Sequence, residues 1–508
     1  MILKSIISGV LPLCLSSLPV YVKGQNMVVI SPQDTPSSII SKAANVVPSL
    51  RQYLWQRQEL TAFIHFGMNT FTNKEWGDGK DSPSLFCPTE IDAEQWVKTL
   101  REAGFKSVIL TCKHHDGFCL WPSAYTDYSV KSSPWKQGKG DVVREVSNAC
   151  KKYGVGFGVY LSPWDRNSLL YGQGKAYNDY FIKQLEELLT QYGHVSEVWF
   201  DGANGEGPNG KKQKYDFVRW YKLIRKLQPQ AVIAVMGPDV RWVGTETGRG
   251  RETEWSVVPK DNLDPTLIAK HSQQTELLPP EGDMVGDDIG SRSKILKAKV
   301  LAWYPAEIDV SIRPGWFYHK AEDNKVKSSK ELTDIYFSSV GRNGVLLLNI
   351  PPNKEGRLSA EDVKSLKSFK ANIDNIFKTN LLTKYINKNR VKAFKALKPS
   401  IDGRYETSSV LADNENKAKN KVLTYYLKSP ITFNVCALQE DICKGQRVES
   451  FIVEARRVGG SWEKVAEGTT IGYKRLLRFN TVTAQEIRLV IKQTRGKVYL
   501  SEFGLYME

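Results

Sequence analysis

A chain of 508 residues exceeds what one small core organises, so a large domain with a smaller companion is expected. Its 41% hydrophobic and 25% charged residues fit a globular protein and exclude a disordered or fibrous class. A net charge of +16 is spread over short clusters such as KKQK at 211–214 and NKAKNK at 416–421. It is not gathered with aromatics on one element, which argues against a nucleic-acid partner and for a solvated basic surface with weak adhesion to acidic cell-wall polymers.

The first 24 residues, MILKSIISGVLPLCLSSLPVYVKG, carry Lys4, a short apolar run and a polar end. This reads as a cleaved secretory signal, since Pro12 and Pro19 interrupt the run and disfavour a spanning helix. No later segment has the roughly 20 apolar residues that spanning requires, so no membrane partner is expected and the mature chain is placed outside the cell, in the apoplast or cell wall if the source is a plant. Of seven cysteines, Cys14 leaves with the signal, and six remain, an even set compatible with an oxidising compartment. Cys436 and Cys443 are close enough to close a small loop, but pairing is not readable from spacing. Cys112 and Cys119 lack the second close pair that a zinc site would use.

From residue 25 to about 385, β-branched apolar runs alternate with helical periodicity. The expected strands are 61–67, 106–112, 155–162, 196–202, 231–237, 252–258, 306–312 and 344–350. Amphipathic stretches at 93–104, 141–154 and 180–193 each end in glycine, a common helix terminator. Eight such units predict an α/β fold of the (β/α)8 TIM-like barrel type. From 386 to 508 the helical period disappears and strand-like runs such as VLTYYL and EIRLVIK take over, predicting a C-terminal all-β sandwich that supports the barrel.

Barrel chemistry sits where strands end. Expected strand ends carry His65, His114 and His115, Tyr160 and Asp201. Asp201 follows the apolar VWF and precedes Gly202 and Ala203, so its carboxylate should face the barrel mouth, although capping the next turn is the plainer role. His114 and His115 suggest metal ligation at first sight. The chain has only six histidines, however, and neighbours on a strand face opposite ways unless a bulge intervenes, so no metal site is assigned and hydrogen bonding to hydroxyls is preferred. Trp76, Trp121, Trp164, Trp199, Trp242, Trp255 and Trp316 crowd these regions, and such a mixture of aromatics with His, Glu and Arg suits a sugar.

The segments FIHFGMNTF, TCKHHDGFCLWPS, GVYLSPWDR and EVWFDGANG resemble the α-L-fucosidases of glycoside hydrolase family 29. RETEWSVV and EIDVSIRPGWFYH make the chain similar to the plant members, within the subgroup selective for α1,3- and α1,4-linked fucose. The resemblance covers the barrel and is weaker beyond it. It implies a retaining, double-displacement mechanism without metal or other cofactor, and together with the leading segment gives the expectation of a secreted, exo-acting enzyme acting on fucosylated oligosaccharides or glycoproteins. Asp201 then takes the nucleophile's place, and His65, His114 and His115 those of the groups that bind fucose hydroxyls. Glu75, Trp76, Tyr160 and Trp199 match further pocket positions, as does Arg241 less closely. Trp316 and Trp242 lie where loop shape would set linkage preference. The alternative is a catalytically silent, fucose-binding lectin-like protein, which would have no need of two catalytic carboxyls.

A retaining glycosidase needs a second, protonated carboxyl about 5–5.5 Å from the nucleophile. The stretch VGTETGRGRETEW (243–255) offers Glu246, Glu252 and Glu254. Glu252 and Glu254 are expected at the inactive end of a sixth strand beginning near 252 and close to Arg251, a cation that would lower a carboxyl pKa. Glu246 lies in a loop between Gly244 and Gly248 at the active rim, and also resembles the acid/base position of the α1,3/4-selective subgroup. It is the favoured proton donor.

Overall fold

The computed structural model describes residues 25–260, 287–390, 394–411 and 421–508; the expected signal segment and most of the basic stretch 416–421 lie outside the described residues. Eight parallel strands form a nearly closed barrel: β1 (Leu60–Ile64), β2 (Ser107–Lys113), β3 (Gly156–Leu161), β4 (Glu197–Phe200), β5 (Val232–Val235), β6 (Arg241–Trp242), β7 (Ala306–Ser311) and β8 (Val345–Asn349). Their order is β5-β4-β3-β2-β1-β8-β7-β6. A single parallel bridge between Ala234 and Val240 spans the seam between β5 and β6. β1, β2, β7 and β8 are buried along their whole length, as expected where helices cover the outside and side chains fill the inside.

The covering helices include α1 (Ala93–Glu102), α2 (Val142–Tyr153), α3 (Lys175–Gln191), α4 (Phe217–Leu227), α5 (Ser329–Ser338) and α6 (Ala360–Phe377). Local chemistry sets their ends. Asp92, Asp141 and Asp216 accept hydrogen bonds from backbone N–H groups of the first turns of α1, α2 and α4, and Gly154 closes α2 in the left-handed region at φ 63°.

Seven expected strands coincide with β1–β5, β7 and β8; the sixth does not. The expected strand at 252–258 is replaced by β6, which precedes it and follows β5 after residues 236–240 with no intervening helix. Val257–Pro259 instead joins Met27–Val29 and Val300–Trp303 in a separate three-stranded antiparallel sheet, with Val300–Trp303 in the middle. A two-residue strand leaves no periodic signal, whereas WSVV has one and uses it elsewhere.

The C-terminal region forms a six-stranded antiparallel sheet of β9 (Ser409–Leu411), β10 (Lys421–Glu440), β11 (Val448–Arg456), β12 (Glu463–Gly468), β13 (Arg475–Thr494) and β14 (Val498–Tyr506). β10 and β13 are 20 residues long, and register shifts near Tyr426/Ile431 and Phe433/Val435 bend them. The sheet therefore wraps one apolar core that includes Tyr425, Phe433, Phe451, Leu489 and Phe503.

This sheet docks on the end of the barrel where strands begin. Lys474 Nζ donates to Glu59, which immediately precedes β1, at 2.5 Å. Asn343, ahead of β8, accepts from Tyr473 N at 2.7 Å. The opposite, C-terminal rim stays open. The six described cysteines are all unpaired, so the 436–443 loop is not closed by a disulfide; Cys436 is instead buried in β10. Among the described residues no helix is long and apolar enough to cross a membrane.

Candidate active site

Because the barrel strands are parallel, residues that follow them gather at one rim. There a cavity of about 360 Å3 is lined by His65, Glu75, Trp76, His114, His115, Trp199, Asp201, Glu246, Asp309 and Trp316, with Phe63 and Ala203. That size lies at the small end for sites of small molecules.

Asp201 directly follows β4. Its Oδ1 accepts from Ala203 N at 2.7 Å and its Oδ2 from the Tyr160 hydroxyl at 3.2 Å, while His115 Nε2 stands 3.9 Å from Oδ2. One oxygen thus shapes the turn and the other remains at the pocket. With the side chain 22% exposed, the carboxylate is reachable from the cavity.

The two adjacent histidines both face the cavity for a local reason. The β2–β3 register shifts between Thr111 and Lys113, and β2 ends at Lys113, so His114 and His115 escape strand alternation. Their rings lie 4.2 Å apart. Ser162 Oγ donates to Trp164 O, so His115 Nδ1 donates to Ser162 Oγ at 2.8 Å and leaves Nε2 towards Asp201. His65 Nδ1 donates to Asn349 Oδ1 at 2.9 Å. Burial pushes all three imidazoles below their usual pKa, His65 to about 3, which keeps them neutral hydrogen-bonding groups.

Aromatic and acidic groups complete the walls. Trp199 stacks on Tyr160 at 5.1 Å and donates from Nε1 to Glu307 at 2.7 Å. Tyr160 itself is fully buried behind the cavity wall and acts through Asp201 and Trp199. Glu75 accepts from the backbone N–H groups of Trp316 (2.8 Å) and Phe317 (3.3 Å) and contacts His319 Nε2 at 2.5 Å, so it anchors the loop after β7. Trp76 is 45% exposed at the mouth, edge-on to Trp164.

Glu246 lies in the loop after β6 and accepts from Trp316 Nε1 at 3.3 Å. Although its flank is open to the pocket, burial of the carboxyl and then the negative charge of Asp201 push its pKa up to about 7. Glu254 and Glu252 lie elsewhere. Buried Glu254 pairs with Arg241 and Arg251, and exposed Glu252 pairs with Arg342 and Arg475 beside the C-terminal sheet. Neither lines the cavity, so both are set aside as the proton donor, but the expected reasons hold only in part: they do not begin a barrel strand, and Glu252 is not paired with Arg251.

Arg241 is a correction. Its side chain is fully buried, bonded to Glu254 and donating to Tyr304 O at 2.9 Å and Trp255 O at 3.1 Å, so it does not line the cavity. Two residues were missed. Asp309 on β7 lines the cavity, and Asn349 at the end of β8 orients His65 and donates to Trp316 O at 2.8 Å. Asn349 closes an apolar run, the same signal that marks Asp201, whereas Asp309 lies inside β7, between Ile308 and Val310, and carries no strand-end signal. Among the described residues no three His, Cys, Asp or Glu groups are arranged to hold a metal ion.

A cavity open at the rim, with the Asp201 and Glu246 carboxyls in unlike environments, three neutral imidazoles and indole walls, can bind one sugar residue and act on its bond. The alpha-L-fucosidase family model matches residues 43–373. Alpha-L-fucosidase 1 of Arabidopsis thaliana is 44% identical over 91% of this chain and 88% of its own length. A Ruminococcus gnavus GH29 fucosidase solved in complex with fucose is 34% identical, with a TM-score of 0.76 over 91% of this chain and 95% of that one. A glycoside hydrolase 29 family member from a rumen bacterium is 39% identical, with a TM-score of 0.74 over 91% and 77% respectively. The chain therefore belongs to glycoside hydrolase family 29, the alpha-L-fucosidases.

Proposed function

We propose that this alpha-L-fucosidase is secreted and exo-acting, and that it releases α1,3- and α1,4-linked L-fucose from glycans with retention of configuration. Asp201 is the nucleophile and Glu246 the acid/base. The observation that carries this reading is the convergence of both carboxyls on one cavity, with the pKa of Glu246 raised and Asp201 held by the Tyr160 hydroxyl beside His115.

In the first step the Asp201 carboxylate attacks the anomeric carbon while Glu246 gives its proton to the glycosidic oxygen. The glycosidic C–O bond breaks, the aglycone leaves as an alcohol, and a fucosyl ester forms on Asp201. In the second, the Glu246 carboxylate takes a proton from water, whose oxygen attacks the anomeric carbon and displaces Asp201. The neutral His65, His114 and His115 suit the sugar's hydroxyls because each offers a donor or acceptor without bringing a charge. Trp76 and Trp316 border the cavity where an aglycone would leave, and their loops are the candidates for linkage selection.

Incubation with trisaccharides carrying 3-, 4- or 2-linked fucose tests this directly. Release is expected from the first two and weakly from the third. Preference for the 2-linked sugar would reject the linkage assignment, and binding without release would identify a silent fucose-binding protein. NMR of the first-formed sugar should show the α anomer. Secretion is supported by the leading segment, and expression in a secreting host should yield a mature N-terminus near residue 25. The net charge of +16 supports weak adhesion to acidic wall polymers, measurable as salt-reversible retention on polygalacturonate.

A further inference from the structure

Glu246 rides on a short arch, and both feet of that arch stand on β7. On the near side Trp242 pairs with Glu307, and Val243 N donates to Glu307 O at 2.9 Å. On the far side Gly248 N donates to Asp309 O at 3.0 Å. Gly248 adopts φ 74°, and a Cβ there would meet Val310 and Ile335 at 3.0 Å, so the chain returns to β7 through a position that requires glycine. Between these feet run only Gly244, Thr245, Glu246 and Thr247, tied by a 2.9 Å contact between the two threonine hydroxyls.

One residue grips both sides. The Asp309 side chain accepts from Trp242 Nε1 at 2.8 Å through Oδ1, while its main-chain oxygen accepts from Gly248. Asp309 is 4% exposed, sits within a regular strand and lines the cavity beside Glu246. We propose that Asp309 is a positioning residue for Glu246, clamping the two ends of its loop so that the carboxyl stays aimed at the glycosidic oxygen. A carboxyl on a loop holds its aim only as well as its supports do, and a strand is a stiffer support than a second loop. Burial also pushes the Asp309 carboxyl well above its usual pKa, so the clamp adds no second negative charge beside Glu246.

The inference rests on the assignment of Glu246 as acid/base, and one set of measurements separates the two. Fucosyl fluoride leaves without needing a proton, whereas a 3-linked trisaccharide needs one. The ratio of kcat/KM on the two substrates is independent of how much of a variant is folded. Asp309→Ala should lose about 10- to 100-fold more on the trisaccharide than on the fluoride, the scale of a misplaced catalytic group. Asp309→Asn, which keeps the acceptor for Trp242, should recover most of that difference. Equal losses on both substrates in Asp309→Ala, with Glu246→Ala still discriminating between them, would overturn the positioning role. Equal losses in Glu246→Ala itself would reject the acid/base assignment and the inference with it.

Discussion

Trp316 Nε1 donates to Glu246 Oε2 over 3.3 Å, joining the loop after β7 to the loop after β6 across the cavity. A donor favours the ionised carboxyl, so this bond lowers the Glu246 pKa against the larger raising effects of burial and of Asp201. The balance, about 7, fixes a limb of the pH profile. For a glycan substrate kcat/KM should fall as pH rises through about 7, because free Glu246 loses the proton it must donate. Trp316→Phe keeps an aromatic wall and removes the donor, so this limb should move to higher pH. A limb that stays put or moves to lower pH would contradict the sign.

The histidines should not contribute a limb near their ordinary pKa. His65 is held neutral by burial, which outweighs the raising effect of its bond to Asn349 and carries it to about 3. Following imidazole nitrogen shifts by NMR from pH 5 to 8 should show His65 neutral throughout, with the proton on Nδ1. A midpoint near 6.5 would show an accessible ring and undo the argument for a neutral hydroxyl-binding group.

A buried pair of carboxyls, Glu197 and Glu307, bears on stability. Glu197 accepts from Trp55 Nε1 at 3.0 Å and Glu307 from Trp199 Nε1 at 2.7 Å, and each keeps one buried oxygen without a donor. A proton shared between them satisfies both, and burial raises Glu197 to about 8. A raised folded-state pKa means that the folded chain binds more protons than the unfolded one, so this stabilisation is lost as pH climbs through about 8. The depressed histidines act in the other sense, but only below their unfolded pKa of about 6.5. Between pH 6.5 and 9 the melting temperature should therefore fall. Glu197→Gln supplies Glu307 with an amide donor and should flatten that fall. A melting temperature that rises over the range would contradict the shared proton.

Long β-branched runs made seven barrel strands legible, because burial on both faces demands them. β6 was not, since two residues paired to Ala306 and Glu307 carry no local signature and exist only through the partner strand. The same blind spot misplaced Arg241, whose neighbours Glu254 and Tyr304 are distant in the chain or hidden behind a turn. Asp201 and the histidines could be found because they end apolar runs. Asn349 ends such a run too, but an amide there reads equally well as a turn residue, and Asp309 lies inside its strand, where no strand-end signal marks it. The stretch 243–255 illustrates both outcomes: Glu246 reaches the cavity, while Glu254 sits buried between Arg241 and Arg251.

The central claim is that Asp201 forms a covalent fucosyl ester. Treatment with a 2-deoxy-2-fluoro fucosyl fluoride, which slows hydrolysis of such an ester, followed by peptide mass spectrometry, tests it most directly. One fluorofucosyl adduct should appear on the peptide containing Asp201, with loss of activity in step. An adduct on any other residue, or undiminished turnover with no adduct, would contradict the account.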